Sequence, residues 1–497
     1  MKIQIGQIEV KAGHPAVNKN TMLILIEKAK KEAVDLLIFP ELCIPGYLLG
    51  DLWEMEAFLK DCEKCGEEIR LATKGITVIF GNIALDHLKI NEDGRIRKYN
   101  ALFVAENQKF IPPENFQYPF TIKSLLPNYR EFDDSRYFYS LEKLAIEMGT
   151  TLDHVLNIFV SKLGRMACVL CEDGWDADYH QSPLEILAKK IPNLFINISC
   201  SPFTLNKNDK RNRIFGKKAE THKKPLIYVN NVGIQNNGKT IFTFDGQSTI
   251  FNTKGQHETI LPPFQENSPC FTFEKGHEIS INPIQTNPSE IEQIFQSLQY
   301  GTQKFLKQLG IEKVVIGLSG GIDSAVAAAL YGTILEKENI LLVNMPSKFN
   351  AELTKNLALE LASNLGCYYT QIPIDESVAL TKKQMDALTI SSPDKKLVKV
   401  LNLSSFAFEN IQARDRSARI LSALSSAFGG AFTSNANKAE TTVGYSTLYG
   451  DHAGFLANLA DLWKYHVYEL GKYLNEIVYK KQLIPKEIFA IVPSAEL

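Results

Sequence analysis

The spacing of hydrophobic and polar positions predicts a layered α/β domain in the first half of the chain. Residues 2–10 alternate like a strand, and residues 16–33 have apolar positions at helical spacing. Residues 34–42 (VDLLIFPEL) form a continuous apolar run, typical of a buried strand, that ends in the carboxylate of Glu41. A helix, a strand and a hairpin turn are predicted next, at 51–73, at 75–85 and at Asp93-Gly94.

The following region contains a candidate nucleophile. Residues 111–139 are rich in proline and aromatic side chains without a clear period, and long irregular segments of this kind are often functional. Residues 141–160 predict a helix, and residues 165–175 (RMACVLCEDGW) predict a strand that ends at Cys171. A cysteine at a strand end, beside two carboxylates and a glycine turn, can act as a nucleophile, although such thiols are more often structural.

The hydrophobic pattern also indicates where the first domain ends. Further buried strands are predicted at 193–203, 226–233 and 240–251. The pattern fades near residue 277, and turn residues then replace it. We therefore predict domains at 1–277 and 290–497, joined by a linker at 278–289.

Strand and helix patterns alternate in the second half, which predicts a doubly wound parallel sheet. The predicted helices are at 290–309, 350–365 and 409–428, and the predicted strands are at 314–316, 340–347 and 367–374. Ligands of such sheets bind at the carboxyl ends of the strands. Residues 378–405 are lysine-rich and weakly periodic, which favours a mobile flap, and the helix at 409–428 has a basic face.

Composition narrows the class of protein. The chain has 497 residues, enough for two or three domains, and its 45% hydrophobic and 22% charged residues are ordinary for a globular protein. A formal net charge of −2 gives no electrostatic argument for nucleic acid or an anionic membrane as a partner. The chain has no apolar run of membrane-spanning length and no signal-like N-terminus, so we expect a cytoplasmic protein.

The eight cysteines include two Cys-x-x-Cys pairs, a spacing that zinc sites use. Cys62 and Cys65 lie in a predicted helix without a glycine between them. Cys168 and Cys171 lie in a predicted strand, which directs them to different faces. The pattern therefore favours reduced thiols over zinc for most of these cysteines.

The stretch GLSGGIDS, residues 317–324, joins an apolar run to an alanine-rich segment. A glycine turn between strand and helix directs backbone N–H groups and the positive helix end into one concavity, which suits a phosphate chain. No Gly-Lys-Ser/Thr follows, so it is not a Walker A loop. Ser319, Ser324 and Asp323 suit Mg²⁺ beside phosphate oxygens. The stretch resembles the SGGxDS loop of the ATP pyrophosphatases, whose adenine nucleotide alpha hydrolase-like fold is Rossmann-like and which form adenylates.

Three motifs together resemble the nitrilase, or carbon–nitrogen hydrolase, superfamily: PEL…GY around Glu41, KxxLPxY around Lys123 and CEDxW around Cys171. The resemblance implies an αββα sandwich with a Glu-Lys-Cys triad. Glu41 would act as general base, Cys171 would attack an amide carbon and release ammonia, and Lys123 would stabilise the oxyanion with a backbone N–H. In the glutaminases of this superfamily the matching residues hold glutamine; here they are Tyr129, Ser201 and Lys207.

Four motifs of the second half resemble the NAD⁺ synthetases: ENIQAR, NKxE, GYSTLYGD and NLADLxK. Combined with a nitrilase-type domain, they resemble the glutamine-dependent family over nearly the whole chain. This resemblance implies a ligase that amidates deamido-NAD⁺: ATP adenylates the nicotinate carboxylate, pyrophosphate leaves, and ammonia displaces AMP. The ammonia would come from L-glutamine through an internal tunnel.

The same resemblance implies ligand contacts for individual residues. The ATP-binding residues would be Gly317, Leu318, Ser319, Gly320, Gly321, Ile322, Asp323, Ser324 and Asn435. The deamido-NAD⁺-binding residues would be Asn410, Glu440, Tyr445, Ser446, Thr447 and Leu448, and Mg²⁺ would bind Asp323 and Glu440. The chain departs from the family at Asn435, often threonine, and at 348–354 (KFNAELT), usually a serine-rich loop. Relatives also typically continue beyond PSAEL with a tail that contributes a substrate-contacting lysine.

Other functions fit these motifs less well. A GMP- or asparagine-synthetase-like amidotransferase would use another glutaminase domain, and GYSTLYGD and NKxE argue against it. An inactive nucleotide-binding protein would have a broken triad or loop, and a lone amidase would not need both Asp323 and Glu440. An ammonia-dependent synthetase with activity impaired by its C-terminus is a further alternative. The family resemblance also implies a homo-oligomer.

Overall fold

The chain divides into two units in the computed structural model, Met1–Pro288 and Ser289–Leu497. The structure describes residues 1–236, 238, 240–273, 288–348 and 350–491. Most of the predicted linker at 278–289 lies outside the described residues, as does Phe349 of the atypical segment 348–354.

The first unit contains strands and helices that alternate along much of the chain. Its described strands are Lys2–Ile5 (β1), Leu36–Ile38 (β2), Thr77–Ile90 (β3), Ile96–Glu106 (β4), Lys109–Phe110 (β5), Thr121–Ile122 (β6), Phe159–Ser161 (β7), Gly164–Leu170 (β8), Leu194–Ser199 (β9), Leu226–Asn230 (β10), Val232–Asn236 (β11), Ile241–Asp245 (β12), Thr249–Phe251 (β13), His257–Ile260 (β14) and Cys270–Thr272 (β15). Its described α-helices are Pro15–Lys31 (α1), Glu56–Ala72 (α2), Asp134–Tyr137 (α3), Leu141–Glu147 (α4), Leu152–Val155 (α5), Pro183–Ala188 (α6) and Lys207–His222 (α7).

Most of these strands belong to two sheets with parallel centres. One sheet has the order β15-β1-β2-β3-β4-β5, with β6 paired to β4, and β1, β2 and β3 run parallel. The other has the order β14-β13-β10-β9-β8-β7, and β8, β9 and β10 run parallel. Helices α1, α2, α6 and α7 connect the successive parallel strands, as parallel pairing requires.

The central strands are largely apolar because both of their faces are buried. Leu36 and Ile38 of β2 share one hydrophobic cluster with Ile196 of β9, so this cluster fills the space between the two sheets. Leu37 of β2 belongs to a second cluster, which includes Met22 of α1 and so lies on the helix side of the sheet. This arrangement confirms the predicted αββα sandwich.

Two glycines interrupt elements that the sequence predicts as continuous. The prediction of one helix over 141–160 is wrong: α4 and α5 are separated near Gly149, whose φ of +69° is left-handed, and β7 follows them. The predicted strand at 240–251 is divided into β12 and β13 near Gly246, whose φ is +67°. A Cβ atom at Gly246 would lie 2.4 Å from the Gln7 side chain, so this backbone position requires glycine.

The second unit also alternates strands and helices. Its described strands are Val314–Gly317 (β16), Ile340–Asn344 (β17), Tyr368–Gln371 (β18), Leu388–Ser391 (β19), Val398–Leu401 (β20) and Ala431–Phe432 (β21). Its described α-helices are Glu290–Leu309 (α8), Ile322–Tyr331 (α9), Glu352–Leu365 (α10), Asp375–Met385 (α11), Ser405–Arg414 (α12), Ser422–Phe428 (α13), Lys438–Val443 (α14), Lys464–Tyr473 (α15) and Lys486–Ala490 (α16).

Four strands of this unit form a parallel sheet in the order β18-β17-β16-β21. The chain moves from β16 to β17 and β18 on one side and then returns to β21 on the other. This reversal confirms the predicted doubly wound sheet, and it places a crevice at the carboxyl end of β16, where GLSGGIDS begins.

The segment at 378–405, predicted as a mobile flap, contains regular structure. It includes the end of α11 and the antiparallel hairpin β19–β20, in which every strand residue is exposed. The sequence shows little periodicity because neither face of the hairpin is buried. The predicted helix at 409–428 begins earlier, at Ser405, and has a π-helical segment at Asp415–Leu421 between α12 and α13. None of the helices that the structure describes is long and apolar enough to cross a membrane.

Candidate active sites

The first candidate site contains Glu41, which follows β2 and is fully buried. Its Oε1 accepts a hydrogen bond from Asn100 Nδ2 at 2.8 Å and lies 2.9 Å from Lys123 Nζ. Its Oε2 accepts a hydrogen bond from the backbone N–H of Cys200 at 2.8 Å. The carboxylate is therefore fixed in orientation, as a general base needs to be.

Lys123 lies between two carboxylates and is 1% exposed. Its Nζ is 2.9 Å from Glu41 Oε1 and also 2.9 Å from Asp134 Oδ2. Burial alone would lower the pKa of Lys123, but Asp134 and Glu41 raise this pKa well above its ordinary value. The side chain is therefore a permanent cation at the centre of the site.

Cys171 follows β8 in a strained backbone conformation, with a φ of +37°. It begins a short 3₁₀ turn, Cys171–Gly174, and its carbonyl accepts a hydrogen bond from Asn197 Nδ2 at 3.2 Å. Burial raises the pKa of the thiol to about 12, and the nearby Glu41 carboxylate adds to this effect. The thiol is therefore protonated at neutral pH and needs a base before it can act as a nucleophile.

Asp173 connects the cysteine turn to the irregular segment that contains Lys123. Its Oδ1 accepts hydrogen bonds from the backbone N–H groups of Ser124 at 3.0 Å and Leu125 at 2.8 Å. Burial raises the pKa of Asp173 to about 7, although these N–H groups favour its charged form. The structure thus brings all three predicted triad residues, Glu41, Lys123 and Cys171, into one buried site.

The residues predicted to hold glutamine lie on three different segments. The Tyr129 hydroxyl donates to Glu172 Oε1 at 3.1 Å and is 48% exposed. Ser201 follows β9, and its backbone N–H donates to Asn230 Oδ1 at 2.8 Å. Lys207 is the first residue of α7, and its Nζ donates a hydrogen bond to the Pro202 carbonyl at 3.0 Å. Burial lowers the pKa of Lys207, and the positive charge of Arg211 lowers it further.

Sequence reasoning missed several polar residues of this site. Asp134 is one of them. Its Oδ2 contacts Lys123, and its Oδ1 accepts a hydrogen bond from the Tyr47 hydroxyl at 2.5 Å. Asn100 and Tyr179 are others, because Asn100 contacts Glu41 and the Tyr179 hydroxyl donates to Glu172 Oε1 at 2.9 Å. The acidic pair at 133–134, eleven residues after Lys123, was the available signal for Asp134.

The second candidate site begins with the loop at 317–324. Gly320 has a φ of +90°, and a Cβ atom there would lie 2.2 Å from the Thr354 carbonyl oxygen, so only glycine fits. Ser319 Oγ accepts the N–H of Gly321 at 3.2 Å and lies 3.2 Å from Ser324 Oγ. The loop residues Gly317, Leu318 and Ile322 complete the turn, and the Leu318 and Ile322 side chains are buried, which leaves their backbone for any ligand contact.

Asp323 and Glu440 are linked through Asn437. The Asn437 side chain donates to Asp323 Oδ1 at 2.9 Å, and its backbone N–H donates to Glu440 Oε2 at 3.1 Å. Lys464 Nζ donates to the other oxygen of Asp323. Burial raises the pKa of Glu440, the Asn437 N–H opposes this, and Asp323 raises it further. Asn437 and Lys464 lie within recognised motifs, but their contacts were not predicted.

The remaining predicted residues lie around this loop or on the exposed surface. Asn435 Nδ2 donates to the Gly317 carbonyl at 2.9 Å, which places it beside the loop. Thr447 Oγ1 donates to Asn410 Oδ1 at 2.7 Å, so these two predicted residues meet. Ser446 is half-buried, whereas Tyr445 and Leu448 are 65% and 70% exposed. The structure describes no group of three or more histidine, cysteine or acidic side chains that could hold a metal ion.

Comparisons with known proteins match both units. The family profile described as carbon-nitrogen hydrolase matches residues 2–268, and the profile described as NAD synthase matches residues 294–497. The chain is 32% identical to the glutamine-dependent NAD(+) synthetase of Synechocystis sp., over 100% of this chain and 84% of that protein. It is 30% identical to the enzyme of the same name from Aquifex aeolicus, over 100% of this chain and 85% of that protein.

A solved structure agrees with these matches. The glutamine-dependent NAD+ synthetase of Acinetobacter baumannii, in complex with ADP, superposes with a TM-score of 0.83 at 27% identity, over 99% of this chain and 85% of that one. The chain therefore belongs to the glutamine-dependent NAD(+) synthetases, ligases that combine a carbon–nitrogen hydrolase domain with an NAD synthase domain.

Proposed function

We propose that this protein converts deamido-NAD⁺ to NAD⁺ at the expense of ATP, with ammonia that Cys171 releases from L-glutamine. The observation that carries the proposal is the buried arrangement of Glu41, Lys123 and Cys171 within a chain that matches the family along its whole length. We assign the glutaminase to residues 1–277 and the synthetase to residues 290–497, joined by 278–289. We also propose a cytoplasmic homo-oligomer, in line with the family resemblance.

The glutaminase reaction follows from the positions of the charges. Glu41 takes the proton of the Cys171 thiol, and the sulfur attacks the side-chain amide carbon of glutamine. The C–N bond then breaks as Glu41 returns the proton to the leaving nitrogen, which gives the thioester and ammonia. Lys123 stabilises the negative charge on the carbonyl oxygen together with a backbone N–H group. Glu41 then activates the water molecule that hydrolyses the thioester to glutamate.

The substrate of this reaction contacts residues outside the triad. We assign Tyr129, Ser201 and Lys207 to glutamine binding. The half-buried ammonium group of Lys207 is suited to the α-carboxylate of the substrate, because charge-assisted hydrogen bonds are strong. Asp134 is a positioning residue, since it acts on the reaction through Lys123.

The synthetase reaction uses the GLSGGIDS loop. We assign the ATP phosphates to residues 317–324 and Asn435, at the N-terminus of α9, where backbone N–H groups favour anions. The attacking group is ammonia and the group replaced is AMP, after the nicotinate carboxylate has been adenylated. The segment at 445–448, in which Tyr445 and Leu448 are exposed, is assigned to deamido-NAD⁺ together with Asn410 and Glu440.

The side chains here also fit Mg²⁺. Asp323 and Glu440 supply the carboxylate oxygens that this ion prefers, and phosphate oxygens and water would complete its coordination. When bound, the ion neutralises charge on the ATP phosphates. We assign Lys464, which pairs with Asp323 in this structure, to the same phosphate site.

The test supplies purified protein with deamido-NAD⁺, ATP and Mg²⁺, together with glutamine or an ammonium salt, and measures NAD⁺ and AMP. Both nitrogen sources are expected to give NAD⁺ and equal amounts of AMP. Failure of the folded protein to form NAD⁺ from ammonium would contradict the synthetase assignment. Glutamate formation without NAD⁺ would instead support the glutaminase alone.

A further inference from the structure

Asp173 is a buried carboxylate that accepts hydrogen bonds from two separate segments of backbone. It is 1% exposed, and its Oδ1 accepts the N–H groups of Ser124 at 3.0 Å and Leu125 at 2.8 Å. Its Oδ2 accepts the N–H of Leu170 at 3.3 Å. Within the part of the chain that the structure describes, no lysine, arginine or histidine forms an ion pair with it. Since burying a charge is costly, these backbone bonds are what compensate for the buried carboxylate.

One of the two segments is the turn that contains the nucleophile. The φ of Cys171 is +37°, and a strained conformation of this kind persists only where the surrounding contacts hold it. The bond from the Leu170 N–H to Asp173 connects the residues on either side of this turn, and Asn197 binds the Cys171 carbonyl. Asp173 therefore helps to hold the cysteine backbone in its strained conformation.

The other segment contains Lys123 and lies in irregular chain. The Lys123 N–H donates to the Asn100 carbonyl at 2.9 Å, and the next two N–H groups along the chain donate to Asp173. Beyond β6 this segment has no strand partner, so the carboxylate takes the place of one. Because Lys123 Nζ lies 2.9 Å from Glu41 Oε1, a shift of its backbone would move the cation away from the base.

The number of bonds requires a carboxylate at this position. A carboxylate accepts at both oxygens, whereas an amide of the same shape accepts at one oxygen and donates from its nitrogen. Burial raises the pKa of Asp173 to about 7, while the Leu125 N–H and the charge of Lys123 favour its charged form. Above this pH the group is largely ionised and can accept all three N–H groups.

We propose that Asp173 is a positioning residue of the glutaminase, whose ionised carboxylate fixes the Lys123 segment against the Cys171 turn. It sets the place of the oxyanion-stabilising cation relative to the nucleophile without contact with the substrate. This inference rests on the proposed glutaminase function and extends it, because it adds to Glu41 and Asp134 a third carboxylate on which the reaction depends.

The test replaces Asp173 by its neutral isostere and measures the reactions of both units at pH 8. In Asp173→Asn, kcat for ammonia release from glutamine should fall by about 10- to 100-fold, because bonds to a charged acceptor are lost and one N–H group faces another donor. KM for glutamine should stay within about threefold, since a residue that is 1% exposed does not bind the substrate. NAD⁺ formation from ammonium should be unchanged.

Asp178→Asn is the matched control. It makes the same substitution at an exposed position that follows the cysteine turn, so kcat and KM should both be unchanged.

Amide hydrogen exchange tests the backbone bonds themselves. In the unmodified protein the N–H groups of Ser124 and Leu125 should exchange as slowly as those of β8 and β9, although they lie in irregular chain. In Asp173→Asn they should exchange faster, as should the N–H of Leu170, whereas Asp178→Asn should not change them. Rapid exchange of Ser124 and Leu125 in the unmodified protein would overturn the inference, whether or not Asp173→Asn folds.

The kinetic outcomes separate this inference from the proposed function. Unchanged kcat in Asp173→Asn, or a rise in KM alone, would overturn the positioning role. Equal losses of ammonia release and of NAD⁺ formation from ammonium would mean that Asp173 only supports folding, and this would overturn it too. A folded, unmodified protein that releases no ammonia from glutamine would instead contradict the proposed glutaminase, and the exchange measurement would still test the backbone bonds.

Discussion

The two candidate sites differ in how far their side chains are already buried and hydrogen-bonded without a ligand. In the first unit Glu41 and Lys123 are 0% and 1% exposed, and each has its hydrogen-bond partners in place. In the second unit the predicted dinucleotide contacts Tyr445 and Leu448 are 65% and 70% exposed. The catalytic side chains of the first site are therefore positioned before a ligand binds, whereas the second site is an open surface around the glycine loop.

The difference matches the chemistry that each site performs. A thiol attack on a small amide is accelerated by fixed charges in a cavity without water, where electrostatic interactions are strong. A dinucleotide and ATP are too large to be enclosed in the same way, and the phosphates bring their own charge. In the absence of a ligand, side chains such as Lys464 and Asp323 therefore form ion pairs with each other, and a ligand can replace these pairs. Single buried residues should thus dominate the first site, and the loop with its carboxylates the second.

The largest expected effect separates the two sites completely. Cys171→Ala should reduce NAD⁺ formation from glutamine by about 10³-fold or more, because no other group can form the thioester. NAD⁺ formation from ammonium should stay within about twofold of the unmodified protein. Cys168→Ala, three residues earlier in β8, is the control and should preserve both routes. Equal losses by both routes in Cys171→Ala would contradict the two-site assignment.

The opposite separation is expected in the second unit. Asp323→Asn should lower NAD⁺ formation from glutamine and from ammonium alike, by about 10²-fold or more, since a developing phosphate charge loses part of its stabilisation. Hydrolysis of glutamine to glutamate should continue. Asp394→Asn, on the exposed hairpin, should change neither activity. If Asp323→Asn spared the ammonium route, the loop would not be the ATP site.

The site residues that the hydrophobic pattern alone could place share one property: they follow a strongly patterned element, whereas Lys123, in irregular chain, was predicted only from its motif. Glu41 follows β2, Cys171 follows β8 and the GLSGGIDS loop follows β16, so the hydrophobic run before each one fixed its place. Asp134 and Tyr179 lie instead in short helices, turns and irregular chain, where no period predicts which side chain faces the site. The prediction of one helix over residues 141–160 was wrong for a related reason. Apolar residues at helical spacing continue past Gly149, where α4 ends.

A smaller effect tests how far catalysis at the first site depends on the positioning of Lys123 by Asp134. Asp134→Asn removes one of the two carboxylates that hold Lys123 and should lower kcat with glutamine by about 10- to 100-fold, since hydrogen bonds to charged groups contribute about 1.5–3 kcal/mol. KM for glutamine should change little, because Asp134 positions Lys123 and does not contact the substrate. The ammonium route should be unaffected.

The neighbouring acidic residue gives the matched control for this change. Asp133 is exposed, so Asp133→Asn should leave kcat and KM unchanged. A rise in KM with unchanged kcat in Asp134→Asn would mean that Asp134 contributes to substrate binding instead of positioning.

The smallest expected effect is a dependence on pH that only the buried site should show. Burial, with a contribution from Arg211, lowers the pKa of Lys207, so this amine loses its proton at a lower pH than an exposed lysine does. A neutral amine no longer attracts the α-carboxylate of glutamine. Since kcat/KM reports the free enzyme, kcat/KM for glutamine should fall as the pH rises through this lowered pKa.

Lys207→Arg isolates that effect, because a guanidinium keeps its charge throughout the range. The α-amino group of glutamine titrates equally with both proteins, so the ratio of their kcat/KM values depends on residue 207 alone. As the pH rises from neutral towards about 10.4, the ordinary pKa of lysine, this ratio, unmodified protein over variant, should fall. A constant ratio would show that Lys207 stays charged or does not bind the carboxylate. In that case only the triad residues of the first site would be arranged for the substrate before it binds.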